Sequence, residues 1–275
     1  MKNKIMYSLK QLIVYSGIVI LLASCQYKEI ADALYPDQKI YMPSSYNGVF
    51  AVNTVALPVG NTTPGNTYRY IVDMGARKFI VPLGVYRSGI DNVGAFTVNI
   101  AVNTDTITKL LTTLSPKLPV GTVLLPSTSY STVNTVEMKD GEETAIFNFS
   151  INLDFLITNF PAKNFAIGVT ISSTAREISK GLATTVLLLG TDMMKPTASF
   201  TSVASSTNVK TWNFNSTSLM TVGYSWNFGD GTPVSTVKSP SHTYATSGTY
   251  TITLDALGVT GQEYKSIKTA LITVL

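Results

Sequence analysis

Short stretches in which apolar and polar residues alternate recur through most of the chain. Residues 147–153, FNFSINL, alternate strictly. A period of two places one face of a strand in a core and the other face in water. The pattern therefore predicts a mostly β protein, with strands at residues 49–55, 68–74, 78–86, 96–102, 145–153, 165–172 and 185–189.

One segment, residues 105–114, has the spacing of an amphipathic helix instead. Asp105 is placed to cap its first turn, because a side-chain oxygen at that position accepts a hydrogen bond from a backbone N–H. The predicted apolar face of this helix consists of Ile107, Leu110, Leu111 and Leu114.

The composition agrees with β structure and excludes several classes of enzyme. Hydrophobic residues make up 45% of the 275 residues and charged residues 13%, and Thr and Ser together outnumber the charged residues. One Cys cannot build an intrachain disulfide framework or a multi-cysteine metal site. One His excludes most zinc hydrolases, which need two or three imidazoles.

The start of the chain has the pattern of an export signal. Lys2, Lys4 and Lys10 precede an apolar stretch at residues 12–23, which is short for a membrane span. The stretch ends in Leu22-Ala23-Ser24-Cys25, which resembles a bacterial lipobox. The resemblance implies cleavage before Cys25, with 1–24 as the signal peptide, and acylation of Cys25. An ordinary secretory signal with a chance Cys is the alternative.

Cleavage also changes the charge. The signal peptide carries three of the 20 basic residues and none of the 16 acidic ones, so the mature side chains sum to +1. No nucleic-acid partner is expected from so small a charge. Residues 26–29, QYKE, are loosely similar to the signals that send Bacteroidetes lipoproteins to the cell surface. This similarity predicts an outer-membrane protein facing the cell exterior, with a periplasmic orientation as the alternative.

A change in composition at residues 192–196 predicts a boundary between domains 25–193 and 194–275. After it come YSWNFGDGTP at 224–233, SPSHTY at 239–244 and GTYTITL at 248–254. These motifs resemble the PKD domain, an Ig-like sandwich of bacterial surface proteins. The resemblance implies structural roles for Trp226, Phe228, Gly229, Asp230, Gly231, His242 and Tyr244.

Residues 26–193 resemble an uncharacterised N-terminal domain family of Bacteroidetes lipoproteins, whose relatives precede carbohydrate-binding or endo-N-acetylglucosaminidase domains. The similar stretches are 98–105, 124–126 with Tyr130, 138–142 and 165–173 leading into 178–179. The resemblance implies an Ig-like sandwich and a role in glycan acquisition. The predicted fold class is therefore all-β, with two tandem Ig-like β-sandwich domains after a lipoprotein signal peptide.

No catalytic constellation emerges from the sequence. His242 is the single imidazole, and it lies in the PKD motif. Glu142 and Glu143 follow Asp140-Gly141 in a predicted hairpin turn, where charge is usually solvated. Asp230 has two interpretations, as a turn-capping residue or as part of a weak calcium site. We therefore predict no enzyme activity, no catalytic residue, no metal and no cofactor.

Sugar binding would need aromatic rings, because the C–H-rich faces of sugars stack on them. The candidate aromatic residues are Tyr46, Tyr68, Tyr70, Tyr86, Tyr130 and Trp212. The predicted glycan-binding set is Tyr68, Tyr70, Tyr130 and Trp212. Core packing is the alternative for Trp212, and a core stripe is the alternative for Tyr68 with Tyr70.

The sequence thus predicts a non-catalytic surface lipoprotein that binds or presents glycans beside a polysaccharide-uptake system. Its expected partners are the membrane, a glycan and an outer-membrane importer complex or other surface proteins. The alternative is a structural or adhesive protein that binds a protein or matrix partner.

Overall fold

The computed structural model describes residues 37–52, 70–89 and 92–275. Residues 38–275 form one compact unit built mainly of β-sheets, as predicted. In the described part of the chain, no helix is long and apolar enough to cross a membrane.

The described residues up to 190 form two sheets and two α-helices. In chain order the elements are β1 (Lys39–Tyr41), β2 (Val49–Val52), β3 (Ile71–Asp73), β4 (Lys78–Arg87), β5 (Phe96–Asn103), α1 (Thr104–Thr112), β6 (Val123–Leu124), β7 (Tyr130–Thr132), β8 (Thr135–Met138), β9 (Thr144–Asn152), α2 (Leu153–Thr158), β10 (Asn164–Ser172), β11 (Glu177–Ile178) and β12 (Thr184–Gly190). Sheet I has the order β11-β1-β4-β9-β7, with β3 also paired to β4. Sheet II has the order β2-β12-β10-β5-β8, with β6 also paired to β10. We call this pair of sheets the first sandwich.

The core of the first sandwich confirms the alternating pattern. In β9, Phe147, Phe149 and Ile151 are buried, whereas the residues between them are exposed or half-buried. Strand β10 is buried on both faces, because α1 packs on the outside of sheet II. There Ile107 of α1 shares a small apolar cluster with Ala166 of β10.

The helix at 105–114 was correctly predicted as an element, but its ends were wrong. Asn103, not Asp105, is the N-cap, and its side-chain oxygen accepts a 2.9 Å hydrogen bond from the backbone N–H of Thr106. The helix therefore starts directly after β5. Leu114 does not belong to the apolar face, because the helix ends at Thr112 and Leu114 is 88% exposed.

The turn that contains Glu142 and Glu143 is not a hairpin turn. Strand β8 pairs in sheet II and β9 pairs in sheet I, so this turn crosses between the two sheets. Both glutamates are exposed. Their expected place at a solvated turn holds, but the predicted connection was wrong, because local alternation does not reveal which sheet a strand joins.

A second sandwich follows, formed by β13 (Phe200–Ala204), β14 (Thr211–Ser216), β15 (Gly223–Asn227), β16 (Ser241–Thr243), β17 (Gly248–Gly258) and β18 (Gly261–Val274). Sheet III has the order β13-β14-β16 and sheet IV the order β15-β17-β18. Their shared core contains Trp226, Phe228, Tyr244 and Phe214. All four are at most 3% exposed.

The two sandwiches meet at the turn between β17 and β18. Val259 in this turn is 9% exposed and belongs to the core of the first sandwich. The ring of Tyr264 on β18 meets Phe160 edge-on, with 4.6 Å between the ring centres. These side chains of the second sandwich pack against the first, so the apolar packing is continuous across the predicted boundary at residue 193. The division into two domains at that residue stays a prediction.

Candidate functional site

Two tyrosines lie side by side on the outward face of sheet I. In β4 the residues Phe79, Val81, Leu83 and Val85 point into the core, so Tyr86 points outward. Tyr41 of β1 is its direct cross-strand partner. Their ring centres are 6.0 Å apart, and the rings are tilted by 36°. Both side chains are half-buried.

Gly84 gives the ring of Tyr86 its place. A Cβ at Gly84 would stand 2.7 Å from Cε2 of Tyr86, which is closer than real Cβ atoms approach. The ring therefore lies against the backbone of its own strand, over the position two residues earlier. A residue without a side chain at 84 permits this close approach.

The neighbouring strand supplies polar groups and one exposed apolar side chain. Thr144 stands opposite Tyr86, Ile146 opposite Gly84 and Asn148 opposite Pro82. Ile146 is 62% exposed, and Asn148 is exposed as well. We call the surface formed by Tyr41, Gly84, Tyr86, Ile146 and Asn148 the Tyr41–Tyr86 face.

The Tyr41–Tyr86 face is uncharged at its centre. Burial raises the pKa of the Tyr86 hydroxyl, and the neighbouring Tyr41 raises it further. The phenol is therefore protonated at neutral pH and can both donate and accept hydrogen bonds. On the outward side of β1, β4 and β9 no position holds Asp or Glu. Such a face can stack on an apolar surface and bond to hydroxyl groups, but these strands give it no pair of carboxylates for acid–base chemistry.

The structure does not bring the predicted glycan-binding residues together. Tyr70 is 5% exposed and stacks on Phe79, with 4.7 Å between ring centres. Tyr70 lies just before β3 (Ile71–Asp73), and its placement favours the core-stripe alternative. Tyr68 lies outside the described residues, so its role stays a prediction.

The two remaining predicted residues pack against their cores. Tyr130 is half-buried and stacks on Phe149 at 5.1 Å. Trp212 is half-buried against the core of the second sandwich, and its indole N–H is buried without a hydrogen-bond partner among the described residues. These positions favour the packing interpretation of both residues. Cys25, the predicted acylation site, also lies outside the described residues.

Asp230 has the contacts of a turn-capping residue. Its Oδ1 accepts hydrogen bonds from the backbone N–H and the hydroxyl of Thr232, at 3.2 and 2.6 Å. Its Oδ2 lies 2.7 Å from Nε2 of His242. Both carboxylate oxygens are thus engaged within the turn. In the described residues no group of three or more His, Cys, Asp and Glu side chains could hold a metal ion.

His242 is held by aromatic rings on two sides. Its ring stacks on Phe228 at 4.0 Å with an interplanar angle of 4°, and Tyr244 meets it edge-on at 4.7 Å. The Tyr244 hydroxyl donates to the carbonyl of Phe228. These contacts give His242, in the middle of β16, a structural position against the 229–232 turn.

Sequence reasoning missed Tyr41 and gave Tyr86 too little weight. The alternation in 78–86 contains the signal for Tyr86, since Phe79, Val81, Leu83 and Val85 share the opposite parity. Tyr41 has no comparable signal, because β1 is three residues long and is defined by its pairing with β4.

Comparison with known proteins assigns two families to the chain. The model of a family described as an N-terminal domain matches residues 35–178. The model of the PKD domain matches residues 193–274.

Solved structures give weaker similarities. The PKD1 domain of the Vibrio cholerae metalloprotease PrtV is 26% identical, with 29% of this chain and 95% of that chain covered and a TM-score of 0.26. A putative carbohydrate binding protein from Bacteroides ovatus is 10% identical, with coverage of 86% and 70% and a TM-score of 0.38. An auxiliary nutrient binding protein from Bacteroides thetaiotaomicron is 13% identical, with coverage of 82% and 71% and a TM-score of 0.35.

Proposed function

We propose a function for this chain as a member of the family of that N-terminal domain, whose model covers more than half of the 275 residues. In the same chain a PKD domain follows the N-terminal domain. The proposed function is non-catalytic binding of glycans at the cell surface, as an accessory to polysaccharide uptake. The first sandwich carries the binding surface, and the PKD domain serves as spacer or interaction module.

The Tyr41–Tyr86 face is the observation that carries this proposal. Two aromatic rings 6.0 Å apart lie on an outward sheet surface, beside the amide of Asn148 and the hydroxyl of Thr144. Aromatic rings stack on the C–H-rich faces of sugars, and amide and hydroxyl groups bond to sugar hydroxyls. The five residues of this face carry no charge, and the flanking Lys39 and Glu177 neutralise each other in an ion pair, with 2.9 Å between Nζ and Oε1. Such a surface suits a neutral polysaccharide better than an ionic ligand.

Binding at such a face is expected to be weak. An open sheet surface encloses few sugar hydroxyls, so we expect a Kd of about 1 mM, equivalent to about −4 kcal/mol. Many tethered copies on one cell raise the effective concentration and make weak binding useful.

The tether belongs to the same proposal. Cys25 would be acylated after cleavage of residues 1–24, which would anchor the protein in the outer membrane with its sandwiches facing the cell exterior. Two or more acyl chains give firm anchoring, since each buried CH₂ contributes ~0.8 kcal/mol. An importer complex in the same membrane would be the partner that takes over the captured glycan.

The test is a glycan array on residues 26–275, followed by titration calorimetry with each glycan that binds. Tyr86→Ala and Tyr41→Ala should each weaken binding by about tenfold, which equals ~1.4 kcal/mol. Tyr46→Ala is the matched control, because Tyr46 is 80% exposed and lies outside this face.

Three results would contradict the proposal. Equal binding by the Tyr86→Ala variant would remove the Tyr41–Tyr86 face as the site. Release of shortened sugars would show an enzyme. Absence of binding to all host and plant glycans tested, together with binding to a protein or matrix partner, would favour the structural or adhesive alternative.

A further inference from the structure

An exposed apolar surface lies at the end of α1, away from the Tyr41–Tyr86 face. Three side chains that are normally buried or half-buried stand mostly in water: Leu114 at 88%, Val120 at 103% and Tyr46 at 80% exposure. Lys117, between Leu114 and Val120, lies close to the segment that contains Tyr46, because its Nζ would be 3.2 Å from a Cβ at Gly48. We call Tyr46, Leu114, Lys117 and Val120 the loop surface.

The backbone at Leu114 makes its exposure harder to explain by folding. Leu114 directly follows the C-cap of α1 and has a φ of +47°. Gly or Asn is preferred at this left-handed position, because a Cβ is disfavoured there. Leu114 thus combines an unfavourable left-handed backbone conformation with a side chain that is exposed to water. The backbone N–H of Leu114 bonds to the carbonyl of Leu111, but its side chain belongs to none of the apolar clusters of the described residues. A left-handed residue whose side chain is so placed points to a role outside the fold.

The loop after α1, residues 113–122, is fixed by packing and hydrogen bonds on its inner side. Leu118 is 7% exposed and packs with Ile107 and Val186 under α1. The backbone N–H of Ser115 bonds to the carbonyl of Leu110, and the Thr122 hydroxyl bonds to the carbonyl of Pro119. Little conformational entropy is left to lose when the loop surface binds a partner.

The charges around the loop surface are positive. Lys109 and Lys117 are exposed, and no ion pair occupies either of them within the described residues. Residues 106–123 and 38–52 contain no Asp or Glu, and the exposed Asp105 in the first turn of α1 is the one acidic residue of that helix. Exposed aliphatic side chains, a tyrosine and lysines together are typical of protein surfaces that lie at the interface of an anionic bilayer.

We propose that the loop surface rests on the lipid bilayer, with Leu114 and Val120 inserted below the headgroups and Lys109 and Lys117 at the level of anionic headgroups. The tether would keep the described part of the chain close to the bilayer. Cys25 is twelve residues before Asp37, the first described residue, and twelve residues reach about 40 Å at most. This proximity depends on the Cys25 tether of the proposed function, whereas the test below does not.

The test uses the mature chain with Cys25→Ala, which cannot be acylated, and vesicles of phosphatidylethanolamine and phosphatidylglycerol. The chain should sediment with these vesicles and bind pure phosphatidylcholine vesicles at least fivefold more weakly, since each lysine near an anionic surface contributes about fivefold. Leu114→Asn should reduce vesicle binding by about tenfold and leave the melting temperature unchanged or higher, because Asn suits the left-handed position. Leu271→Asn is the matched control, since Leu271 is also exposed, at 72%, but lies on β18.

Loss of vesicle binding in Leu114→Asn with normal binding in Leu271→Asn supports the proposal. Absence of vesicle binding in the Cys25→Ala chain would overturn it, and would assign the loop surface to a protein partner instead. An equal loss in both leucine variants would overturn it too. Glycan binding should be the same in all these variants, so failure here is distinguishable from failure of the proposed function.

Discussion

Asp230 and His242 form a bonded pair inside the second sandwich, with 2.7 Å between Oδ2 and Nε2. Their side chains are 11% and 14% exposed. Asp230 lies in the 229–232 turn after β15, and His242 lies in the middle of β16. The pair therefore joins the turn that extends from sheet IV to a strand of sheet III, and it holds this end of the sandwich together.

Acid should weaken the contribution of the Asp230–His242 pair to the free energy of unfolding. Burial by itself would raise the pKa of Asp230, but hydrogen bonds from Thr232 and His242 outweigh it and hold the pKa below its ordinary value of 3.8. A carboxylate with a lowered folded-state pKa stabilises the fold above its unfolded-state pKa, and this contribution is lost as the pH falls through the folded value. Urea unfolding between pH 6 and pH 2.5 should therefore show a steeper loss below about pH 4 in the wild type than in Asp230→Asn. Glu142→Gln, at an exposed turn, should keep the wild-type slope; a wild-type slope in Asp230→Asn would contradict the prediction.

Trp226→Ala should destabilise the second sandwich by ~3–5 kcal/mol. Trp226 is fully buried, meets Phe200 edge-on at 5.0 Å, and donates from Nε1 to the carbonyl of Val237 at 3.0 Å. Truncation leaves a cavity and removes the hydrogen bond to Val237. Chemical denaturation followed by circular dichroism measures the loss, and Trp212→Ala, at a half-buried position, should cost less. A loss below about 1 kcal/mol would mean that the core repacks without this ring.

Gly84→Ala should impair glycan binding without unfolding the protein. The new Cβ would stand 2.7 Å from Cε2 of Tyr86, so the ring must move away from its place on the strand. We expect a several-fold weaker affinity and a loss of about 1 kcal/mol in stability. Gly248→Ala is the control, because Gly248 is also two residues before a tyrosine, but its Cβ would stand 3.6 Å from Cε2 of Tyr250. Unchanged glycan affinity in Gly84→Ala would show that the position of the Tyr86 ring does not determine glycan binding.

Val259→Asp should destabilise both sandwiches, although residue 259 belongs to the second. The substitution places a carboxylate in the core of the first sandwich, where burial of an unpaired charge is costly. Calorimetry should show a lower melting temperature, and hydrogen exchange should show lost protection in β4 and β9. Val234→Asp, at a position 54% exposed, should change neither. Damage confined to the second sandwich would contradict the shared core.

Cys25→Ala should abolish acylation and release the protein into the soluble fraction after a high-salt wash, which also weakens the contacts of Lys109 and Lys117 with anionic headgroups. Metabolic labelling with a fatty acid, followed by fractionation, measures both effects. The lipobox resemblance provides the reason, since acylation requires the thiol. A fatty-acid label on the Cys25→Ala protein would refute the assignment.

Long strands were predictable from the sequence because their pattern is local. The strand predicted at 78–86 spans Lys78–Arg87, and the one predicted at 96–102 spans Phe96–Asn103. The short strands β1 and β11 were not predictable, since two or three residues carry no period. They exist because Lys39 and Ile40 pair with Glu177 and Ile178 across a long sequence separation.

The candidate site was predictable only in part, for the same reason. The parity of residues 78–86 places Tyr86 outward, but the partner strand of Tyr41 is known only from the pairing. Aromatic composition alone favoured Tyr70 and Tyr130, whose rings stack on Phe79 and Phe149. A tyrosine in a β protein is as useful for packing as for binding, and neighbours distant in sequence decide between the two.

The position of Val259 has a consequence for the order in which the protein is made. The first sandwich closes its core with a side chain that leaves the ribosome some seventy residues after the end of β12 (Gly190). Until then a growing chain lacks the cover that the β17–β18 turn gives beside Met194, whose carbonyl oxygen would lie 3.2 Å from a Cβ at Gly258. Biosynthesis of the first sandwich is therefore complete only when the β17–β18 turn arrives, and a chain interrupted before that turn would present the uncovered surface beside Met194 to chaperones and proteases.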